Sequence, residues 1–144
     1  MILIGDTSGL IAALNVAEPD HLGARTALQS ASLTVISPLV LLELEHVVTR
    51  NSSRRVAESI NDWLLAQEET DRFTIPRVSA NLLRTARRVQ RAYAALEPDL
   101  TDAINVALAE SFATVDILTL DRRDFRAITP LAHGAAFRLR PDDA

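Results

Sequence analysis

The sequence predicts an α/β fold, in which a mainly parallel, twisted sheet has helices on both of its faces. Three observations lead to this prediction. Short apolar runs alternate with amphipathic stretches of helical length, two of the apolar runs are followed at once by polar and acidic residues, and 144 residues are enough for one hydrophobic core. Strands that alternate with helices in this way pair in parallel, because each helix returns the chain to the starting edge of the sheet.

The periodicity of apolar residues assigns the elements in order. Short runs rich in Ile, Leu and Val indicate buried strands, and apolar residues repeated every three or four positions indicate helices. Ser37-Pro38 marks a helix start, because serine is a good N-cap and proline suits the first helical position, and Thr101 is predicted to cap a later helix. The predicted elements are a strand at 1–4, helices at 7–14 and 19–29, a strand at 33–36, helices at 38–50 and 54–66, a strand at 73–75, helices at 79–96 and 102–112, a strand at 117–120 and an edge strand at 137–139.

Composition narrows the class of protein. The chain is 48% hydrophobic and 24% charged, which is typical of a globular domain, and we expect one domain over residues 1–140 with a polar tail at 141–144. No apolar stretch approaches the roughly 20 residues of a membrane-spanning helix, and the first residues lack the features of a signal peptide, so a cytoplasmic protein without a membrane partner is expected. The absence of cysteine excludes a disulfide framework, thiol catalysis and cysteine-ligated zinc.

The basic residues are all arginine, fifteen in number, although the net charge is −4. An acidic balance argues against a general nucleic-acid binder, whereas arginine is the better bidentate partner for phosphate. The cluster at 84, 87, 88 and 91 is more simply interpreted as a solvated helix face. Arg122 and Arg123 are the first candidates for contacts to phosphate groups, with simple surface exposure as the alternative.

Four acidic residues are predicted to meet at one edge of the sheet. Asp6 and Asp121 follow predicted strands, while Glu43 and Asp102 lie on helices that leave the sheet. In such folds ligands bind beyond the carboxyl ends of the strands. Carboxylates so close together repel one another unless a hard cation binds between them, and oxygen ligands select Mg²⁺ or Mn²⁺.

Each of these acids also has a structural alternative. Asp6 and Asp121 are suited to cap the segments that follow them, Asp102 is a favourable charge near a helix N-terminus, and Glu43 has an exposed helix face as its alternative. It is the shared position of the four that favours a site.

The other common catalytic groups are less informative. His21, His46 and His133 lack the mutual spacing of a zinc site, and His46 is expected to be a partly buried packing residue. A phosphoaspartate protein, either a receiver domain or a haloacid-dehalogenase-like phosphatase, normally uses a lysine at the phosphate, and this chain has none. The phosphatase motif also requires an aspartate where Ser8 stands, and a P-loop is absent.

Four segments of the chain resemble the motifs of PIN domains, in their VapC toxin form. They occur in order between residue 2 and about residue 140, and the last two are the most specific. The segments are Asp6-Thr7-Ser8, residues 37–44, residues 101–110 and residues 117–125. The resemblance implies a three-layer PIN-like fold and a metal-dependent endoribonuclease.

The resemblance also implies roles for individual residues. Asp6, Glu43, Asp102 and Asp121 match the metal-binding, catalytic acids of the family, and none of the four departs from its pattern. Thr7 and Ser8 match the polar residues that steady the first aspartate. Further candidates for supporting groups are Asp99, Asn105, Thr119 and Asp124; surface charges remain the alternative for Asp99 and Asp124, and a satisfied surface amide for Asn105.

Function and partners follow from the same resemblance. VapC-like proteins are the toxins of toxin–antitoxin pairs; they hydrolyse RNA through metal-activated water, usually dimerise, and are silenced by a VapB-like antitoxin that binds across the site. The amphipathic stretch at 37–66 is the expected surface for that partner, unless it packs only on its own sheet. Related toxins cut tRNA or a ribosomal RNA hairpin, and residues 130–140 resemble the second group. The alternative is a catalytically silent PIN fold that binds RNA or protein.

Overall fold

Five parallel strands form one sheet in the order β3-β2-β1-β4-β5 within residues 1–143, which are the residues that this computed structural model describes. The strands are β1 (Ile2–Gly5), β2 (Leu33–Val35), β3 (Phe73–Thr74), β4 (Asp116–Leu118) and β5 (Arg138–Arg140). The helices are α1 (Thr7–Leu14), α2 (His21–Ser30), α3 (Pro38–Asn51), α4 (Arg54–Glu68), α5 (Ala80–Ala92), α6 (Leu100–Ser111) and α7 (Arg122–Ala127).

The order of the strands determines where a site can form. The chain builds outward from β1 to β2 and β3, then returns to the other side of β1 with β4 and β5. Strands β1 and β4 pair with Ile4 opposite Ile117 and Gly5 opposite Leu118. The residues that leave these two strands therefore lie side by side at the point where the strand order reverses, which is the usual ligand position in open α/β sheets.

Successive residues of β1 point to opposite faces of the sheet, and each face has its own core. Ile4 belongs to a cluster with Ile104 of α6, and Leu3 belongs to another with Leu10 of α1. All four side chains are completely buried. The predicted α/β class, with a parallel sheet between two helical layers, is confirmed.

Helix α1 packs closely against the end of β4 at a glycine. A Cβ atom added to Gly9 would lie 2.3 Å from the carbonyl oxygen of Leu118, which is backbone and cannot swing away. Because Gly9 has no side chain, the first turn of α1 can pack directly against the carboxyl end of β4.

Several predicted boundaries were wrong. Helix α5 ends at Ala92 instead of residue 96, since Tyr93 leaves the helical conformation and Glu97 has a φ of 56°. Helix α6 is capped by Asp99, whose side chain accepts a hydrogen bond from the backbone N–H of Asp102, so Thr101 lies inside the helix. Strand β4 ends at Leu118, two residues before its predicted end, and the short helix α7 was not predicted.

The acidic residues after β5 pack back onto the domain. Asp142 pairs with Arg122, and Asp143 pairs with Arg126, so both hold helix α7. Asp143 also accepts a hydrogen bond from the backbone N–H of Leu139, at 2.8 Å. Ala144, the end of the predicted tail, lies outside the described residues. In the described part of the chain, no helix combines the length and the apolar character needed to cross a membrane.

Candidate active site

Asp6 leaves β1 at the centre of the sheet, and hydrogen bonds fix both oxygens of its side chain. Its backbone N–H donates to the carbonyl of Leu118, which ties it to the end of β4 at 3.0 Å. Asn105 Nδ2 donates to Asp6 Oδ1 at 3.2 Å, and Thr119 Oγ1 donates to Asp6 Oδ2 at 2.7 Å. Asp6 occupies the N-cap position of α1 without a side-chain cap hydrogen bond. Its carboxylate is therefore oriented chiefly by Asn105 of α6 and by Thr119, which follows β4.

Thr119 and Ser8 form a short chain of hydroxyl groups behind Asp6. The single hydroxyl proton of Thr119 goes to Asp6, so the contact of 3.3 Å between the two hydroxyls uses the proton of Ser8. Ser8 Oγ accepts from the backbone N–H of Leu120 at 2.9 Å, and Thr119 Oγ1 accepts from that of Asp121 at 2.9 Å. These contacts fix the backbone between β4 and α7 relative to the first turn of α1.

Helix α6 brings two further candidates to the same place. Asp102 lies in the first turn and Asn105 three residues later, so both lie on one face of the helix. Asn105 is 0% exposed, which excludes the surface-amide alternative. Asp99, at the exposed mouth, caps the helix and accepts from the Asp102 N–H at 2.8 Å. Asp99 therefore positions the backbone of Asp102, and its negative charge contributes to the raised pKa of that residue.

Helix α7 brings Asp121 and Asp124. Asp121 caps this helix, as the structural alternative proposed, and its Oδ1 accepts from the Asp124 N–H at 3.3 Å. Within residues 1–143, the second oxygen of Asp121 accepts no hydrogen bond. Carboxylate oxygens of Asp102, Asp121 and Asp124 all lie within 4.8 Å of one another. Capping and ligand binding are therefore compatible in Asp121.

The candidate acids surround a small cleft of about 240 Å³. Glu43, half-buried on α3, lines the same cleft. Ile11 and Val47 form the apolar rim of the cleft. The sequence did not distinguish them from core residues, because they follow the same helical spacing as the buried residues of their helices. The residues that line the cleft are Asp6, Thr7, Ser8, Ile11, Glu43, Val47, Asp99, Asp102 and Asp121.

Burial and mutual repulsion raise the pKa of the central acids. Desolvation is the main cause of the rise in the pKa of Asp6 to about 7, and the negative charges of Glu43 and Asp121 add to it, although the Thr119 hydroxyl opposes them. Desolvation, followed by the charge of Asp6, raises the pKa of Asp102 to about 9. The pKa of Asp121 is also raised, again chiefly by desolvation. Without a cation, burial and repulsion therefore shift these carboxylates towards their protonated forms.

The donor set fits a hard divalent cation. Carboxylate oxygens surround the cleft, and neither sulfur nor imidazole lines it, which is the donor set that Mg²⁺ and Mn²⁺ prefer. Thr7 Oγ1 and Asn105 Oδ1 are buried without a hydrogen-bond partner among the described residues. Buried polar atoms are nearly always paired, so two orphaned oxygens beside the acids fit water molecules that a hydrated ion would hold there.

The two candidate arginines differ in their surroundings. Arg122 donates Nη2 to Asp142 Oδ1 at 3.0 Å and Nε to the other oxygen of that carboxylate. Arg123 is exposed and has no ion pair within residues 1–143, and its charge lowers the pKa of Asp121 against the larger effect of desolvation. Arg123 is therefore available to bind a phosphate group near the cleft, whereas Arg122 would first have to break its ion pair with Asp142. The pairing of Arg122 had no signal in the sequence, because it depends on the fold-back of the last residues.

The three histidines lie apart from the cleft. His21 is buried and its Nδ1–H donates to the carbonyl of Ala12 at 2.8 Å. His46 is exposed, so the prediction of a partly buried residue was wrong: the buried positions of α3 are Val40, Leu44 and Val48, and residue 46 falls on another face.

Comparisons with known proteins identify the family of this chain. The model of the PIN domain family matches residues 3–129. Ribonuclease VapC26 of Mycobacterium tuberculosis is 34% identical over 133 residues, which are 92% of this chain and 96% of that protein.

Solved structures share the fold at lower identity. VapC20 of Mycobacterium tuberculosis, described as a sarcin-ricin loop cleaving toxin, has a TM-score of 0.72 at 20% identity, over 84% of this chain and 91% of that one. VapBC2 of Rickettsia felis, solved with a fragment of promoter DNA, has a TM-score of 0.66 at 19% identity, over 93% and 98%. A toxin–antitoxin complex from Klebsiella pneumoniae has a TM-score of 0.61 at 18% identity, over 88% and 92%. With the family match over residues 3–129 and the 34% identity to a VapC ribonuclease, this chain belongs to the PIN domain family, in its VapC-like branch.

Proposed function

We propose that this protein is an endoribonuclease that depends on Mg²⁺ (or Mn²⁺) and acts as the toxin of a toxin–antitoxin pair. The observation that carries the proposal is the convergence of Asp6, Glu43, Asp102 and Asp121 on one cleft, two of them with a strongly raised pKa. Because these acids repel one another, a bound cation would stabilise their ionised forms. The similarity to a curated ribonuclease over 92% of the chain supports RNA as the substrate.

The residues have distinct roles in the proposed reaction. Asp6 and Asp102 are the main ligands, because both are buried and line the cleft; Asp121 is a third. The cation would lower the pKa of a bound water and stabilise the charge on the phosphoryl and leaving oxygens. Glu43 of α3 also lines the cleft and makes no side-chain hydrogen bond within residues 1–143, so it is available to orient the attacking water and to accept its proton.

Supporting residues keep the ligands in position. Thr119 and Asn105 hold the two oxygens of Asp6, and Ser8 holds Thr119. Ligands that are oriented by such outer hydrogen bonds lose less freedom when an ion binds. Asp124 lies close enough to Asp102 and Asp121 to accept hydrogen bonds from a hydrated ion. Arg123 is the preferred phosphate contact at the mouth.

An antitoxin is the proposed protein partner. A mainly apolar groove of about 400 Å³ lies between α1, α3 and α4, within and beside the stretch at 37–66. It shares Ile11 and Val47 with the carboxylate cleft, so the two are continuous. An amphipathic helix in this groove would bring a basic side chain to the acids and neutralise them. We propose that a VapB-like antitoxin is the partner that binds in this way.

The remaining parts of the proposal concern the assembly and the RNA. We expect a homodimer in solution, which light scattering on the isolated protein measures directly. The RNA substrate is proposed to be a tRNA or a ribosomal RNA. Cleavage of the two purified RNAs by the purified protein distinguishes between them.

The decisive experiment is cleavage by pure protein. In the presence of Mg²⁺ or Mn²⁺ the protein is expected to cut RNA, and EDTA is expected to stop the reaction until either ion is restored. An inert protein that still binds RNA or antitoxin would instead be a silent PIN fold. Recovery with zinc alone would redirect attention to the histidines.

A further inference from the structure

Helix α5 carries positive charge without any compensation on the same helix. Its 13 residues include four arginines and no acidic residue, in a protein of net charge −4. All four side chains are exposed, and none pairs with a carboxylate within residues 1–143. The four are Arg84, Arg87, Arg88 and Arg91. We call this surface the α5 arginine face.

Neutral neighbours hold three of these guanidinium groups. Arg84 donates to Asn81 at 2.6 Å, Arg87 to Gln90 at 2.7 Å and Arg88 to Thr85 at 3.1 Å. Each contact uses one of the five N–H donors of a guanidinium, so the remaining donors and the whole charge stay available. Together with Leu83, the four arginines line a depression of about 390 Å³.

Such an arrangement is unfavourable for an isolated helix. Like charges four residues apart, as in the pair Arg84 and Arg88 or the pair Arg87 and Arg91, destabilise a helix. Elsewhere arginines such as Arg126 and Arg140 are paired with aspartates. An anionic ligand on α5 would remove this repulsion.

The α5 arginine face adjoins the segment that leads into the cleft. Helix α5 packs along α6, and Gln90 Nε2 donates to the carbonyl of Pro98 at 3.0 Å. The next residue, Asp99, lines the carboxylate cleft and caps the helix that carries Asp102. The C-terminal end of α5 is thus tied to the rim of the candidate active site.

We propose that the α5 arginine face binds the sugar–phosphate backbone of RNA outside the cleft, an inference that rests on the proposed ribonuclease function. Guanidinium groups match phosphate in a bidentate manner, and contacts to phosphate fix an RNA without reading its sequence. The depression has one apolar side chain, Leu83, and no aromatic residue. A protein partner would need such anchors for its affinity, so an acidic protein segment is the less suitable occupant.

The test compares two matched pairs of substitutions in an Asp6→Asn background, so that RNA is bound without being cut. One pair is Arg84→Gln with Arg88→Gln, which keeps Arg91 near the C-terminus of α5 and replaces arginine by another good helix former. The control is Arg54→Gln with Arg55→Gln, two exposed arginines on α4, which removes the same charge. Circular dichroism verifies that all variants are folded.

The readout is the salt dependence of binding to a fluorescent oligouridine, measured by anisotropy. The slope of log K against log salt is negative. Each lost phosphate contact to a single strand reduces its magnitude by about 0.7, so the α5 pair is expected to reduce the magnitude by about 1.4. The control pair is expected to leave the slope unchanged. Arg84→Lys with Arg88→Lys should retain the slope, because the charge remains.

The outcomes separate this proposal from the proposed function. An unchanged slope in the α5 pair, or an equal fall in the control pair, overturns the α5 proposal even if the active protein cuts RNA. A loss of binding to a purified antitoxin, with RNA binding intact, assigns the face to a protein and also overturns it. If the slope depends on α5 but the unmodified protein never cuts RNA, the α5 arginine face is supported and the proposed ribonuclease function is refuted.

Discussion

Thr119 donates its hydroxyl proton to Asp6 over 2.7 Å, although the two residues are 113 positions apart in the sequence. The contact exists because β1 and β4 are neighbours in the sheet and both end at the same edge. The contact fixes one oxygen of Asp6, so the orientation of that carboxylate depends on Thr119, a residue far along the chain.

Replacing Thr119 by valine is expected to impair catalysis without removing a ligand. Valine has nearly the same shape but no hydroxyl, so Asp6 loses a hydrogen bond and the backbone N–H of Asp121 loses its acceptor. Loss of an outer-shell partner typically reduces metal affinity or activity by about 10- to 100-fold. Thr119→Ser keeps the hydroxyl and serves as the control. Equal activity of the valine and serine variants would refute the positioning role.

Asp6→Asn and Asp102→Asn are each expected to abolish RNA cleavage and to relieve growth arrest in cells that express the protein. The amide has nearly the volume of the carboxylate, so the fold is retained while a proposed anionic ligand is lost. Cleavage is followed on gels, and circular dichroism verifies the fold. A folded variant that cuts RNA at the rate of the unmodified protein would remove that residue from the site.

The metal-free protein is expected to lose stability as the pH rises from about 4 to about 9. In the folded chain the pKa of Asp6 is about 7 and that of Asp102 about 9, whereas an aspartate in the unfolded chain has a pKa of about 3.9. The folded state therefore holds more protons in this interval, and its advantage is complete below pH 4 and lost above pH 9. Urea titrations in EDTA measure the change.

Addition of Mg²⁺ should reverse this loss, because an ion that binds the ionised acids stabilises the folded state. Asp102→Asn should flatten the pH dependence in EDTA. An identical pH profile for Asp102→Asn and the unmodified protein would contradict the raised pKa of Asp102.

Gly9→Ala is expected to destabilise the protein by about 1–3 kcal/mol, the usual cost of forcing a methyl group into a packed region. The new Cβ would meet the Leu118 carbonyl at 2.3 Å and push α1 away from β4. Gly23→Ala is the matched control, since its Cβ would meet only the ring of Pro141, at 2.9 Å. Thermal unfolding of the two variants should show the larger loss for position 9.

The cut ends should carry a 5′-phosphate and a 3′-hydroxyl. Attack by the 2′-hydroxyl of RNA requires a general base and acid, commonly two histidines, and none of the three histidines lines the cleft. Water activated by a cation leaves a 5′-phosphate. End-labelling and ligation identify the termini, and a 2′-O-methyl group at the cut should be tolerated if the RNA still binds. Cyclic phosphates in a divalent-dependent reaction would overturn this mechanism.

The sequence predicted the elements that depend on local chemistry. Ser37 caps α3 through the N–H of Leu39, and Pro38 occupies the first turn, because both preferences act within a few residues. It also predicted that Asp6 and Asp121 lie at one edge, since parallel strands end together. It failed at Thr101, because Asp99 is an equally good cap two residues earlier and the structure uses it.

Other features depend on contacts that no local pattern records. Helix α7 has six residues, too few to show a helical period, and it is held by Asp142 and Asp143 from beyond β5. The ion pair of Arg122 with Asp142 could not be predicted for the same reason. The orphaned oxygens of Thr7 and Asn105 are likewise visible only once the surrounding side chains are in place.

The pairing of β1 with β4 has a consequence for the chain during synthesis. Asp6 emerges from the ribosome early, but its partner Thr119 and the ligand candidate Asp121 emerge only after more than a hundred further residues, and domains fold only once their non-local pairings are available. A nascent chain therefore has no assembled carboxylate cleft until β4 and the residues that follow it have left the ribosome.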